Sequence, residues 1–372
     1  MTVATAFPSD DLQPLPRPGI LDISPYVGGE SKAGAARRVR LASNEGALGT
    51  SPRAVAAYQA LAGDLCRYPD GGAAELRAAI GRRYGLDPAR VVCGAGSDEL
   101  IQLLIKCYAG PGDEVLYSRH GFLMYAIAAK AAGATPVAAP ERDLRADVDA
   151  LLAHVTERTR LLFLANPNNP TGSYLTADEV ERLRAGLPGN VVLVIDAAYA
   201  EYMSRDDYSP GADLVDRSAN VVMTRTFSKI YGLSALRLGW AYCPAGIADV
   251  LNRVRGPFNV SAAAQAAGIA ALEDVAFVDA SRAHNDFWRP WTEQRLGALG
   301  LKVQPSVANF VLIDFDGLAG ADAEEARQFL KARGILVRQM GAYGLPTCLR
   351  ITVGTEDEMN AVVEALRAYL GR

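Results

Sequence analysis

A chain of 372 residues is longer than one hydrophobic core usually supports, and with 50% apolar and 22% charged residues it can bury two cores that share a cleft. Its 38 basic and 42 acidic residues leave a net charge of -4, which offers no basic field for nucleic acid and no polybasic patch for a membrane surface. The five cysteines, Cys66, Cys93, Cys107, Cys243 and Cys348, form no CxxC pair, and His120, His154 and His284 stand outside any HExxH pattern, so neither a disulfide framework nor a catalytic zinc is expected.

The opening MTVATAFPSDDLQPLPRPG has prolines and acids where an export signal needs a basic start and an apolar block, and the expectation is a soluble, unexported, cytoplasmic protein. Residues 1–45 read as an arm, rich in Pro and Gly, that lies on a partner or on the smaller domain. Regular structure is expected from about Ser51. Between Val91 and Tyr242 the short runs VVC, EVLY, LLFLA, VVLVI and VVMT alternate with helical patterns such as SDELIQLLIKCY and TADEVERLRAGL. That alternation predicts an α/β fold with a mostly parallel central sheet, placed in a large domain over 46–265. Ser97, followed by two acids, marks one helix start, and Thr176 with Glu179 makes a capping box at another. From 266 to 372 the same grammar shrinks: ANFVLIDF, a helix opening at Asp322 with Glu325, ILVRQM, CLRITVG, and a last helix from Thr355 with Glu358. These elements predict a smaller α+β domain.

Four motifs carry chemistry. Val91-Val-Cys-Gly-Ala-Gly-Ser-Asp98 runs from a strand through a glycine turn into a helix N-terminus, where free N–H groups and the helix dipole suit a phosphate. Taken alone it is an ordinary turn, and Glu99 at the third glycine position rules out a dinucleotide fingerprint. Asn166-Pro-Asn-Asn-Pro-Thr-Gly172 follows the LLFLA strand and fixes side-chain amides at the tip of a tight bend. Asp196 ends the buried-looking VVLVI strand, where a carboxylate needs a cationic partner such as a protonated pyridine nitrogen, and Tyr199 three residues on can donate to a phenolic oxygen on the same ring. The plainer alternative for Asp196 is a helix cap. Lys229, in Thr226-Phe-Ser-Lys229, lies in a largely uncharged, hydroxyl-bearing stretch, where desolvation and nearby cations lower an amine's pKa and favour condensation with an aldehyde. A snorkelling surface lysine is the plainer reading of that residue by itself. All four motifs lie beyond the C-terminal ends of predicted strands, the edge at which open α/β sheets bind ligands.

With these motifs the chain resembles the fold-type I, pyridoxal-phosphate-dependent aminotransferases, from about Arg17 to the C-terminus. PRPGILDISPYVGG, GAGSDELIQ, FSKIYGLSALRLGW and CLRITVG narrow the likeness to the histidinol-phosphate aminotransferase family. The resemblance implies that Lys229 holds pyridoxal phosphate as a Schiff base and that Asp196 pairs with the pyridine nitrogen. It further implies that Asn169 and Tyr199 hold the ring oxygen and that Phe122 stacks on the ring. The phosphate is expected on Gly96, Ser97, Asp98, Thr226, Ser228 and Arg237, with Tyr68 arriving from the second subunit of a homodimer. Arg350 is expected on the substrate carboxylate, Arg338 and Tyr26 on the substrate's own phosphate, Tyr26 also from across the dimer, and Asn44 beside the substrate. The implied reaction is ping-pong amino transfer from L-histidinol phosphate to 2-oxoglutarate in histidine biosynthesis. The alternatives are an aromatic amino acid aminotransferase and a decarboxylase of a phosphorylated amino acid. Two positions depart from the family pattern: Gly46-Ala47 replaces a polar residue and a proline, which predicts a looser loop over the substrate, and Ala197 replaces a glutamate.

Overall fold

The computed structural model describes residues 16–30 and 39–372. Part of the expected arm, residues 1–15 and 31–38, lies outside the described residues.

The larger sheet has seven strands: β1 (Val91–Gly94), β2 (Glu114–Ser118), β3 (Thr135–Ala139), β4 (Thr159–Ala165), β5 (Val192–Asp196), β6 (Val221–Thr226) and β7 (Gly239–Tyr242). They lie in the order β1-β7-β6-β5-β4-β2-β3, and only β7 runs against the others. The strands read as continuous apolar runs because both faces are covered. Along β4, Leu161 and Phe163 join one core with the helices Ser97–Tyr108, Met124–Ala132 and Ala245–Val254. Leu162 and Leu164 join the other, with the helices Ala74–Tyr84, Val148–Ala153, Ala177–Gly186 and Ala262–Glu273. The six like-directed strands deliver their C-terminal ends to one edge, and Gly94, Ala165, Asp196 and Thr226 all stand there.

The second sheet is antiparallel: β8 (Lys302–Gln304), β9 (Phe310–Asp314), β10 (Arg338–Gln339) and β11 (Cys348–Thr352), in the order β8-β9-β11-β10. Helices Ala323–Ala332 and Glu356–Tyr369 cover it. Local signals set their starts: Asp322 accepts from the backbone N–H groups of Glu324 and Glu325, and the Thr355–Glu358 capping box is present, as is that of Thr176 and Glu179. The predicted strand ILVRQM divides in two. Ile335–Leu336 pairs in parallel with Val39–Arg40, while β10 pairs with β11. Val39 and Leu41 are therefore buried in the smaller core, and the chain before the larger domain is woven into the smaller one. The helix Val275–Ala298 spans both units, giving Val278 to the larger core and Leu296 to the smaller.

A second tie between the domains lies behind the Asn166–Gly172 bend. Gly172 has φ 75°, and a Cβ there would lie 2.3 Å from Ser306 Oγ; its carbonyl accepts from Val307 N at 3.0 Å. Only glycine satisfies both the backbone angle and that approach.

Leu162 is wholly buried in the middle of the sheet. Leu162→Ala is expected to lower stability by about 2–5 kcal/mol, measured by urea unfolding of the purified protein.

Candidate active site

The edge where the strands end encloses a cavity of about 260 Å³, lined among others by Tyr26, Asn44, Ser97, Asp98, Phe122, Asn169, Asp196, Tyr199, Thr226, Ser228, Lys229, Arg237 and Arg350. Most residues singled out in the sequence thus meet in one place.

Asp196 is the last residue of β5 and is buried. Tyr125 Oη donates to its Oδ2 at 2.7 Å and Thr224 Oγ1 to its Oδ1 at 3.2 Å. Burial pushes the carboxyl up to about 6, Asp98 adds to the rise, and the two hydroxyls with the Lys229 charge oppose it. Both hydroxyls are neutral, so the charge of the carboxylate is left for a cation in the cavity.

Lys229 follows β6 on the loop that leads to β7. Its Nζ donates to Ser43 O at 3.2 Å and stands 5.7 Å from the centre of the Tyr199 ring. Burial first, then the guanidinium groups of Arg350 and Arg237, bring the amine down to about 8, against the attraction of Asp98 and Glu45. Tyr199 is buried edge-on to Phe310, and its hydroxyl accepts from Asn44 Nδ2 at 2.9 Å. That bond leaves the phenol proton free to be donated into the cavity. Burial holds this phenol well above its ordinary value, so it stays protonated. Asn44 itself has φ 56° and is pinned by Thr352, whose Oγ1 accepts from Asn44 N at 2.9 Å.

Arg350 rises from β11 of the smaller domain, 5% exposed. Its guanidinium donates to Asn169 Oδ1 and, at 2.9 Å, to Ala42 O, while Nε has no partner. A buried cation facing only neutral acceptors is suited to an incoming carboxylate.

At the other end of the cavity, Gly96 with φ 84° precedes the helix Ser97–Tyr108. Ser97 is the first helical residue and makes no side-chain cap, so glycine geometry sets this start in place of the serine hydroxyl. A Cβ on Gly239 would lie 2.4 Å from Ser97 N, and one on Gly96 would lie 2.5 Å from the Arg237 guanidinium. Arg237 donates to Asp98 at 2.9 Å and to Ser228 Oγ at 3.2 Å, and Ser228 N donates to Thr226 Oγ1 at 3.1 Å. Two hydroxyls, a guanidinium and the N–H groups of a helix start make a cradle that fits a phosphate, and the buried carboxylate of Asp196 fits a protonated ring nitrogen.

Four expectations are corrected or left apart by the geometry. Tyr26 was expected across a dimer, yet it lines the cavity of its own chain, because the 16–30 segment is tied down by Arg338, which donates to Val27 O at 2.6 Å, and by Arg17, which donates to Ala131 O. Its ring meets Phe122 edge-on at 6.3 Å. Arg338 stands behind Tyr26, 5.6 Å from its ring, and is not a lining residue. Tyr68 is 82% exposed, stacked on Phe258 at 4.6 Å and away from the cavity of its own chain. The loop at Gly46 is not slack: a Cβ on Gly46 would meet Lys229 O at 3.0 Å, Thr50 Oγ1 donates to Gly232 O at 2.7 Å, and Asn309 donates to Asn44 O at 3.1 Å. Sequence reasoning missed Tyr125, Thr224 and Ser43. The only available signal was spacing: Tyr125 one helical turn after Phe122, and Thr224 two residues before Thr226 on the same face of β6.

The fold and the site define a fold-type I transferase, and residues 36–366 match the aminotransferase class I and II family. The chain belongs to that family. It is 67% identical over 358 residues to the histidinol-phosphate aminotransferase of Rhodospirillum centenum, covering 96% of this chain and 99% of that one. Its identity to the histidinol-phosphate aminotransferase of Paramagnetospirillum magneticum is 63% over 359 residues, with 96% and 99% covered. Among solved structures, the histidinol-phosphate aminotransferase of Sinorhizobium meliloti in complex with pyridoxal-5'-phosphate is similar with a TM-score of 0.87 and 31% identity, covering 98% of this chain and 99% of that one. An aspartate aminotransferase of Thermus thermophilus, 22% identical with a TM-score of 0.81 and covering 96% of this chain and 100% of that one, shares the fold.

In the cofactor-free protein, Lys229 is expected to react with an amine-directed reagent with a midpoint of about 8, followed by peptide mapping across pH. Arg350→Gln, which removes a neighbouring positive charge, should raise that midpoint.

Proposed function

We propose that this chain transfers an amino group between L-histidinol phosphate and 2-oxoglutarate, giving imidazole-acetol phosphate and L-glutamate, with pyridoxal phosphate as its cofactor. The observation that carries the reading is a single cavity joining Lys229, Asp196, Tyr199, Asn169 and Arg350 from separate segments, in a chain 67% identical to an enzyme of that name. The place implied is histidine biosynthesis. The cytoplasm is the compartment we assign, on the scattered unpaired cysteines and because no helix among the described residues is long and apolar enough to cross a membrane.

When bound, the cofactor supplies the electron sink that lets the amino-bearing carbon give up its proton. The chain's own residues do the rest. The helix start at Gly96, Ser97 and Asp98, with Thr226, Ser228 and Arg237, would hold the phosphate. Phe122 would cover one face of the ring. Asp196, ionised above about pH 6, would keep the ring nitrogen protonated. Asn169, whose Oδ1 accepts from Arg350, would offer its amide N–H groups to the ring oxygen, and Tyr199 its phenol proton. Lys229 would hold the resting cofactor at Nζ; once released, its amine would move the proton off the amino-bearing carbon. Arg350 would grip the carboxylate of glutamate or 2-oxoglutarate. Tyr26, with Arg338 behind it, would face the phosphate of histidinol phosphate, and Asn44 would steady Tyr199 beside the substrate.

In this reading residues 46–265 bear the cofactor, and residues 266–372, with the strand at 39–40, bring the substrate arginine. Tyr68 would reach the cavity of a second copy in a homodimer, across the exposed patch it forms with Leu65 and Phe258. Size-exclusion with activity profiling checks this, and a fully active monomer would overturn it.

The decisive experiment mixes the cofactor-loaded protein with L-histidinol phosphate and no oxo acid. The visible absorbance of the bound cofactor should bleach rapidly and return on adding 2-oxoglutarate, while phenylalanine and tyrosine should bleach it more slowly. Faster bleaching by the aromatic amino acids would change the substrate. Lys229→Ala should lose both the band and nearly all turnover, and retention of either would sink the role given to that lysine.

A further inference from the structure

Tyr125 lies outside every motif considered above and is fully buried. Its ring is stacked on Phe163 at 4.6 Å with an interplanar angle of 18°, and it meets Phe122 edge-on at 5.9 Å. Its backbone N–H donates to Phe122 O at 3.0 Å. The ring has no freedom to swing, and the hydroxyl it carries is spent on Asp196 Oδ2 at 2.7 Å. One residue thus fixes both the aromatic expected over the cofactor ring and the carboxylate expected beneath its nitrogen. We propose that Tyr125 is a positioning residue of the active site: its phenol, with Thr224 as a weaker second donor, fixes the Asp196 carboxylate and gives it the hydrogen bonds that water cannot supply. The proposal rests on the reading that Asp196 pairs with the cofactor's ring nitrogen.

The physical logic is that of a buried charge. A carboxylate taken out of water at the end of a fully covered strand loses its solvation, and an oriented O–H donor offsets part of that loss only for the ionised form. The groups acting on Asp196 are Tyr125 and Thr224, which favour ionisation, Lys229, which also favours it, and Asp98, which opposes it; the phenols of Tyr199 and Tyr208 are coupled to it as well. Without the Tyr125 hydroxyl, Oδ2 of this buried carboxylate loses the side-chain donor it has in the structure. The acid is then harder to ionise, and its hold on a pyridinium weakens.

Tyr125→Phe removes one oxygen atom and keeps the ring stack. It is expected to bind pyridoxal phosphate about tenfold more weakly, measured by titrating the cofactor-free protein, and to lower kcat about tenfold with KM for the amino donor held within about twofold. The acid limb of the kcat profile should move to higher pH. A readout independent of turnover is the thermal unfolding of the cofactor-free protein against pH. Because the folded value of Asp196, about 6, lies above its ordinary value of 3.8, the carboxyl's stabilising contribution is fully present below the ordinary value and is lost as pH rises through the folded one. Tyr125→Phe should carry that loss to higher pH. Thr224→Val should move the same quantities in the same direction by less, and it serves as the test if Tyr125→Phe does not fold. Wild-type cofactor affinity and superimposable pH curves in the folded variants would overturn the proposal. Asp196→Asn separates the two layers. If it too keeps wild-type affinity and turnover, the role of Asp196 itself fails; if it loses them while Tyr125→Phe does not, only the role of Tyr125 fails.

Discussion

A carboxylate at the end of a strand that is covered on both faces has to find hydrogen bonds and a counter-charge, and most of this structure can be understood as the means of supplying them to Asp196. The strand is buried because helices pack on both sides of the sheet. The hydroxyls come from the neighbours on either side: Tyr125 from the helix after β2 and Thr224 from β6. The positive charge is left to whatever enters the cavity. Lys229 shows the converse, an amine whose charge is disfavoured by burial and by two guanidinium groups. Acid and amine are pushed toward each other on the pH scale by the same low-dielectric enclosure, which is the ordinary way in which a protein readies two groups for proton traffic near neutrality.

The smaller domain completes this site from above. Arg350 reaches down from β11 to Asn169 on the larger domain and to Ala42 on the segment that joins them, so three parts of the chain meet at one guanidinium. Its Nε remains without a partner. A guanidinium held by both the Asn169 bend and the Ala42 segment ties the two sheets together at the cavity it lines.

The alternation of β-branched runs with helical patterns made the sheet legible in the sequence, because a fully covered parallel strand is apolar at every position. The four motifs were legible because their residues are costly anywhere else: Asp196 in a hydrophobic strand, Lys229 in an uncharged loop, paired prolines and amides in a bend. What the sequence hid depends on distance along the chain. β3 and β7 carry proline, glycine and small residues and were missed, since their place in the sheet comes from their neighbours. Tyr125 belonged to no motif, because its ring is core and only its one oxygen reaches the site. The side on which Tyr26 lies was misjudged because it depends on how the 16–30 segment is tied down by Arg338 and Arg17, which no local pattern encodes.

The pairing of Val39–Arg40 with Ile335–Leu336 joins the beginning of the described fold to nearly its end. Synthesis runs from the N-terminus, so on the ribosome the strand at 39–40 emerges long before its partner exists. The larger sheet, whose strands fall between Val91 and Tyr242, can close in the interval. Val39 and Leu41 must wait, exposed, until the last elements of the smaller domain are made and the long loop is closed. The smaller core therefore cannot be completed before Ile335–Leu336 has been made, nor the cavity before Arg350 has.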